Sequence, residues 1–133
     1  VTVRRSRIRD GGNGLFATRT IQPRTHIAPV GGEVISESEL TRRYGTNTAP
    51  YGVQVGNTIY DGARKRYLGH MANSAFGASG HSDPSKCNAS IRAMSSNGSP
   101  VIYSTKRIRR GEEILVNYGD RYLLHDNGIH ATL

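Results

Sequence analysis

The chain has 133 residues, a length that fits a single domain with a modest core. Its 18 basic and 10 acidic residues give a net charge of +8, and its 35% hydrophobic content excludes a disordered polyelectrolyte. No apolar run exceeds three residues, so the sequence predicts no membrane span. The single cysteine, Cys87, excludes an internal disulfide and a zinc site built on several thiolates, and it suits a reducing, intracellular setting.

The first part of the chain predicts short strands separated by glycine turns. Residues 2–9 are β-prone but basic, as in an exposed strand, and residues 10–14 contain three glycines and form a turn. Residues 15–18 then form a short buried strand. Ile21 and Ile27 flank a proline-centred turn and mark a further short strand.

One helix carries clear start and stop signals. Ser36 can cap its N-terminus, and Glu39, three residues later, completes a capping box. The helix is predicted over residues 37–44 and ends at Gly45. Acidic residues lie in its first turn and arginines in its last, as the helix dipole favours.

The second half of the chain predicts hairpins and one polar loop. Residues 51–55 and 57–60 are typical of a hairpin around Gly56. Residues 62–73 fit either a helix or a loop, and residues 77–86 form the polar loop. Three later strands are predicted, at residues 89–94, 101–105 and 114–118.

Taken singly, the chemically active residue types indicate little. None of the five histidines has metal-ligand spacing with a cysteine or carboxylate, so no metal site is predicted. The turn at residues 12–14 does not match the GxGxxG pattern of dinucleotide-binding folds. A hydrolase based on Cys87 and a histidine is a formal alternative, but no catalytic-cysteine signature surrounds Cys87.

Several segments, taken together in chain order, resemble the SET domain of protein lysine methyltransferases. The resemblance extends from about Val3 to Tyr122, and the block GEEILVNYGD at its end is the most specific part. The segments that carry it are residues 12–17, 32–36, 68–74, 87–89 and 111–120.

The resemblance implies a mostly β fold with little helix, in which small curved sheets surround a C-terminal pseudoknot. That pseudoknot brings the Asn73 segment against the Tyr118 segment. The implied organisation is one SET domain over residues 1–133, with a core at about 3–122, a loop insertion at 76–86 and a C-terminal tail at 123–133.

The same resemblance implies a site for S-adenosyl-L-methionine. Tyr118 matches the catalytic tyrosine, and Ser74 stands where the family usually has a histidine. The implied cofactor-binding residues are Asn13, Gly14, Leu15, Asn73, Ser74 and Tyr118.

A narrow channel for the substrate lysine is also implied. Tyr51 and Tyr122 fall where channel-lining tyrosines often occur. Ile91 lies near another position that is often aromatic, and a smaller side chain there would loosen the channel.

The implied activity is S-adenosylmethionine-dependent protein-lysine N-methyltransfer on histones or other chromatin proteins in the nucleus. The alternative is a catalytically weak or inactive SET-like module that binds chromatin or nucleic acid through its basic surface. The serine at position 74 favours that alternative, and the retained Tyr118 favours the enzyme.

The charge pattern also suggests contact with nucleosomal DNA. Two dense basic stretches would suit a phosphate backbone, although arginines also solvate edge strands and protect them from pairing. These stretches consist of Arg4, Arg5, Arg7 and Arg9, and of Lys106, Arg107, Arg109 and Arg110. The acids expected to contact a basic histone tail at short range are Glu33, Glu37, Glu39, Glu112 and Glu113.

Overall fold

The computed structural model describes residues 1–8, 12–46, 49, 51–73, 84–94, 98–117, 123–125 and 128–132. In this part of the chain the fold is mostly β with one α-helix, as predicted. The strands are β1 (Thr2–Arg5), β2 (Asn13–Phe16), β3 (His26–Pro29), β4 (Glu33–Ile35), β5 (Tyr51–Val55), β6 (Thr58–Asp61), β7 (Ala89–Ala93), β8 (Pro100–Ser104), β9 (Val116–Asn117), β10 (Leu123–His125) and β11 (Gly128–Thr132). No helix among the described residues is long and apolar enough to cross a membrane.

The strands form three small sheets. β1 pairs with β2, and a four-stranded sheet has the order β3-β8-β7-β9. A five-stranded sheet has the order β10-β11-β5-β6-β4. Most pairs are antiparallel, but β7 with β9 and β11 with β5 are parallel.

The predicted helix, α1 (Glu37–Tyr44), is confirmed with its boundaries. The Ser36 hydroxyl accepts a hydrogen bond from the Glu39 backbone N–H at 3.1 Å, and Gly45 caps the C-terminus with φ 61°. The other half of the capping box differs, because the Glu39 carboxylate accepts hydrogen bonds from Arg42 and Arg43 instead.

A charged network attaches α1 to the β4–β6 sheet. The Arg43 guanidinium lies 2.9 Å from Asp61, 2.8 Å from Glu33 and 2.7 Å from Glu39. The Tyr44 hydroxyl also donates to Asp61, which is only 1% exposed. Because Asp61 pairs with Gly52 of β5, the network also steadies the hairpin that carries Tyr51.

The pKa of the buried Asp61 carboxyl lies below its usual value. Burial alone would raise the pKa of Asp61, but the Ala63 N–H, the Tyr44 hydroxyl and the Arg43 guanidinium outweigh burial and lower that pKa. Burial and the bond to Asp61 raise the pKa of Tyr44 to about 12. Asp61 and Tyr44 are therefore held as carboxylate and phenol at neutral pH, which keeps the network intact.

The predicted hairpins are confirmed, and the ambiguous segment takes a defined form. β5 and β6 meet around Gly56, which has φ 60°, and β7 pairs with β8 from Ala89 to Ala93. The segment 62–73 is irregular backbone with a bend at residues 63–65 and a 3-10 helix at Leu68–Met71. Most of the predicted polar loop lies outside the described residues, apart from a second 3-10 helix at Pro84–Lys86.

The C-terminal segment contains strands that the sequence did not predict. β10 and β11 pair with each other, and β11 adds to the edge of β5, with Ile129 opposite Tyr51 and Ala131 opposite Val53. The sequence assigns residues 123–133 to a tail, whereas residues 123–125 and 128–132 form two strands of the largest sheet.

The strand segment at residues 113–117 lies between two parts of the chain that are far apart in sequence. On one side, Asn73 bridges Leu115 in parallel, and the Val116 N–H donates to the Asn73 carbonyl at 2.8 Å. On the other side, Ala89 pairs with Val116. This arrangement places the Asn73 segment against residues 113–117, which directly precede Tyr118 in the chain, as the resemblance implied.

Candidate functional site

Asn73 joins two segments that are 60 residues apart. The 3-10 helix at Leu68–Met71 precedes it, and the backbone bridge to Leu115 fixes its position. The Asn73 Nδ2 donates to the Asn13 carbonyl at 3.0 Å. The glycine-turn segment and the Asn73 segment, both predicted from the sequence as cofactor-binding, therefore meet directly.

Gly14 allows these segments to approach each other closely. A Cβ atom at Gly14 would lie 2.6 Å from Glu113 Oε2 and 3.3 Å from Asn73 Nδ2. Gly14 is buried, as is Leu15, which is 0% exposed. The site therefore excludes any larger residue at position 14 unless the buried carboxylate moves.

Glu113 is at the centre of this cluster, and the sequence reasoning did not identify it as a site residue. Its carboxylate accepts hydrogen bonds from the Ser6 hydroxyl at 2.6 Å, the Arg7 N–H at 2.9 Å and Asn73 Nδ2 at 3.3 Å. Glu113 is 8% exposed, whereas the adjacent Glu112 is exposed. Local pattern gave no signal for this burial, because the alternation that buries Ile114 and Val116 would place Glu113 on the opposite face.

Asn88 holds the same strand from the opposite side. Its Nδ2 donates to the Glu113 carbonyl and its Oδ1 accepts from the Leu115 N–H, both at 2.9 Å. Asn88 is itself buried. The Asn88 side chain and the Asn73 backbone thus hold residues 113–116 from both sides.

Tyr51, predicted to line the substrate channel, has two cationic or ionisable neighbours. The Arg66 guanidinium carbon lies 3.9 Å from the centre of the Tyr51 ring, and the His70 ring packs edge-on at 5.8 Å. Tyr51 is 41% exposed. The positive charge of Arg66 disfavours a second cation beside the Tyr51 ring.

His70 is neutral in this setting. Burial, followed by the nearby Arg66 charge, lowers the pKa of His70 to about 4. Its Nε2 is buried without a hydrogen-bond partner among the described residues, and a Cβ at Gly62 would lie 2.7 Å from it. Protonation would place a buried charge next to Arg66.

We expect the stability of the fold to fall as the pH is lowered from about 6.5 towards 4. In that pH window His70 is protonated in the unfolded chain and not in the folded chain, so protons favour unfolding. Above the window the neutral His70 contributes its full share to the free energy of unfolding. Allowing for partial exposure, the loss between pH 7.5 and pH 5 is about 1–2 kcal/mol. Urea denaturation at each pH measures it.

The control for this prediction is His70→Gln, which cannot titrate. Its free energy of unfolding should change less than that of the wild type over the same window. Parallel pH profiles for the two proteins would show that His70 does not carry the effect.

Ile91 lies in the hydrophobic core. It is 6% exposed and pairs with Ile102 across β7 and β8. A contribution of Ile91 to a substrate channel remains a prediction. In the part of the chain that the structure describes, no three His, Cys, Asp or Glu side chains are grouped so that they could hold a metal ion.

A scan against protein-family models matches residues 12–119 to the SET domain. The chain belongs to the SET-domain family. The contact between the Asn73 segment and residues 113–117 agrees with the arrangement that the resemblance to SET domains implied.

Solved structures from polycomb repressive complex 2 share the fold of this SET domain. A chain of ctPRC2 in complex with H3K27me3 and H3K27M has a TM-score of 0.74 and 22% identity, covering 98% of this chain and 16% of that one. A chain of autoinhibited ctPRC2 bound to S-adenosylmethionine has a TM-score of 0.68 and 24% identity, covering 89% and 15%. A humanized mutant of the Chaetomium thermophilum complex, bound to an inhibitor, has a TM-score of 0.66 and 24% identity, covering 89% and 14%.

This SET domain thus spans about a sixth of the length of the solved chains that it matches. At these identities, the likeness establishes the fold. A search of curated proteins found no match.

Three of the predicted site residues of this SET domain, Ser74, Tyr118 and Tyr122, lie outside the described residues. Of the others, the structure brings together Asn13, Gly14 and Asn73. Tyr51 lies beside His70, three residues before Asn73, and so adjoins the same part of the molecule.

Proposed function

We propose that this SET domain is an S-adenosylmethionine-dependent protein-lysine N-methyltransferase. The observation that carries the proposal is the convergence of Asn13, Gly14 and Asn73 around the buried Glu113 carboxylate. These residues come from the two motifs that resemble the cofactor-binding segments of the family.

The chemistry of this cluster fits the cofactor. S-adenosylmethionine carries amine donors and a net positive charge, and the cluster offers oxygen acceptors and one carboxylate. Asn73 uses its Nδ2 within the protein, while its Oδ1 accepts no hydrogen bond among the described residues. An amide acceptor and a nearby negative charge suit a cationic ligand.

Each site residue has a proposed task. Asn13, Gly14 and Leu15 bind the cofactor through backbone groups, with Asn73 and Ser74. When bound, S-adenosylmethionine supplies an electrophilic methyl group. Tyr118 orients the lysine amine through its hydroxyl, while Tyr51, Tyr122 and Ile91 line the channel and exclude water.

The proposed substrate is a lysine of a histone or another chromatin protein, which implies a nuclear site of action. The proposal is supported by the structural neighbours, of which one is in complex with H3K27me3 and H3K27M and another is bound to S-adenosylmethionine. Three of the five acids expected to contact a basic tail are already engaged: Glu33 and Glu39 by Arg43, and Glu113 within the site. Glu37 and Glu112 remain better placed to contact substrate.

The alternative is a SET-like module with weak or no catalysis that binds chromatin. The departure at Ser74 favours it, because the family's histidine is replaced by a smaller side chain. Cofactor binding and product formation distinguish the two functions.

The test has two stages. S-adenosylhomocysteine at about a hundred times its dissociation constant should raise the free energy of unfolding by about 2.7 kcal/mol, and S-adenosylmethionine should act likewise. Mass spectrometry on mixed histones then tests for added methyl groups. Binding without product would favour the inactive module, and no stabilisation at millimolar ligand would contradict both the cofactor site and the enzyme.

A further inference from the structure

The structure pairs one of the basic stretches with a second basic segment. Ala17 exchanges backbone hydrogen bonds with residues 111 and 112 at 2.8 and 3.0 Å, and Ile21 exchanges two with Ile108 at 2.7 and 2.9 Å. The Arg24 N–H also donates to the Ser104 carbonyl at 2.9 Å. We call these paired segments, residues 17–25 and 104–112, the basic ribbon.

The ribbon presents its cations on a firmly held backbone. Ile108 and Ser104 are both 0% exposed and anchor one segment in the core. The two ribbon segments together contain six cationic residues, all of them exposed: Arg19, Arg24, Lys106, Arg107, Arg109 and Arg110. Arg19 and Arg24 were not singled out in the sequence, because only the pairing brings them to this surface.

No ion pair among the described residues neutralises these cations. In the residues that the structure describes, the ion pairs all join Arg42 or Arg43 to Glu33, Glu39 or Asp61, and none of these residues belongs to the ribbon. Glu112 is the single acid in the two ribbon segments. Lys106 has a local contact, since its Nζ donates to the Ser85 carbonyl at 3.3 Å, so the arginines carry most of the available charge.

The N-terminal basic stretch is arranged differently. The guanidinium carbons of Arg4 and Arg7 lie 4.2 and 5.6 Å from the centre of the Phe16 ring. These two arginines cover an aromatic side chain, so they are less available to an external anion than the ribbon arginines.

We propose that the basic ribbon is a docking surface for the phosphate backbone of duplex DNA. A guanidinium group can donate two hydrogen bonds to one phosphate group. The five exposed arginines lie on two hydrogen-bonded segments, so little backbone has to become ordered when DNA binds. A lipid surface is disfavoured, because none of the exposed large hydrophobic side chains of the described residues lies on the ribbon. The net charge of +8 also attracts DNA and repels free basic tails.

This inference goes beyond the proposed methyl transfer and does not depend on it. An inactive SET-like module would dock in the same way, and a methyltransferase would gain access to lysines next to DNA. A failure to bind cofactor would not affect the proposed binding of DNA to the ribbon, so the two proposals can fail separately.

The experiment measures binding of the chain to a fluorescein-labelled 30-base-pair duplex by anisotropy, in buffers from 50 to 200 mM salt. With about four or five phosphate contacts, the logarithm of the association constant should fall against the logarithm of salt with a slope of about −4. Arg109→Glu with Arg110→Glu should weaken binding by about tenfold or more and make the slope shallower by about two.

The matched control is Arg64→Glu with Lys65→Glu, which changes the net charge equally at exposed positions that do not belong to the ribbon segments. It should weaken binding far less. Arg19→Glu with Arg24→Glu, on the other segment, should weaken DNA binding as much as the variant at Arg109 and Arg110. The melting temperature of every variant shows whether it is folded. Equal loss in the control, a slope near zero, or equal binding of anionic phosphatidylserine vesicles or polyglutamate would overturn the proposal.

Discussion

Replacing Tyr118 by phenylalanine should lower the turnover of lysine methylation by about a hundredfold to a thousandfold. The change removes one hydroxyl and keeps the ring, so the melting temperature should hardly move. Under the proposed function, this hydroxyl orients the reacting amine, and its loss affects the transition state more than substrate binding. Quantitative mass spectrometry of histone products over time gives kcat and KM.

Two further variants make this result interpretable. Tyr67→Phe removes a hydroxyl from a ring that is 45% exposed and should leave turnover unchanged. Asn73→Ala should instead weaken S-adenosylhomocysteine binding first, because Asn73 is a proposed cofactor ligand. A Tyr118→Phe protein with wild-type turnover and the same products would show that another residue has the catalytic role.

Features that depend on neighbouring residues in the sequence were predicted well. Ser36, Glu39 and Gly45 lie within ten residues of one another, and the helix between them has the predicted boundaries. The hairpin around Gly56 was equally local. In both cases the chain's own turn and cap chemistry determines the structure, and tertiary contacts only add to it.

Strand pairs between residues far apart in the sequence could not be predicted from the local sequence pattern. Nothing in residues 128–132 indicates a parallel partner, yet β11 pairs with β5, more than seventy residues earlier in the chain. The Asn73–Leu115 bridge was expected only because the motifs resembled a family with that crossing. Contacts of this kind follow from topology, and a single sequence carries no local signal for them.

The two adjacent glutamates show the same limit within the site. From sequence, Glu112 and Glu113 were interpreted alike, as acids available to a basic substrate. In the structure one is exposed, and the other is buried against Ser6 and Asn73. Which of two neighbours faces inward depends on the register of the strand segment at residues 113–117, and that register is set by Asn73 and Asn88 from elsewhere in the chain.

Because Glu113 is buried and hydrogen-bonded while Glu112 is exposed, we expect Glu113→Gln to lower both the free energy of unfolding and the affinity for the cofactor. The carboxylate accepts from the Ser6 hydroxyl, the Arg7 N–H and Asn73 Nδ2, and an amide would turn a donor towards at least one of these donors. A buried donor left without an acceptor costs about 1–3 kcal/mol. Because the Asn73 side chain would keep only its bond to the Asn13 carbonyl, S-adenosylhomocysteine affinity should fall by about tenfold, which corresponds to about 1.4 kcal/mol.

Glu112→Gln is the matched control, since it makes the same chemical change one residue away on an exposed side chain. Its effect on unfolding should stay within about 0.5 kcal/mol, and cofactor affinity should be unchanged. Ser6→Ala, which removes one donor to Glu113 without touching Asn73, separates the two effects: it should lower stability while affinity is largely kept. Urea denaturation and isothermal titration with S-adenosylhomocysteine measure both quantities. If Glu113→Gln and Glu112→Gln bind the ligand equally well, Glu113 does not position Asn73 for the cofactor, even if the fold is weakened.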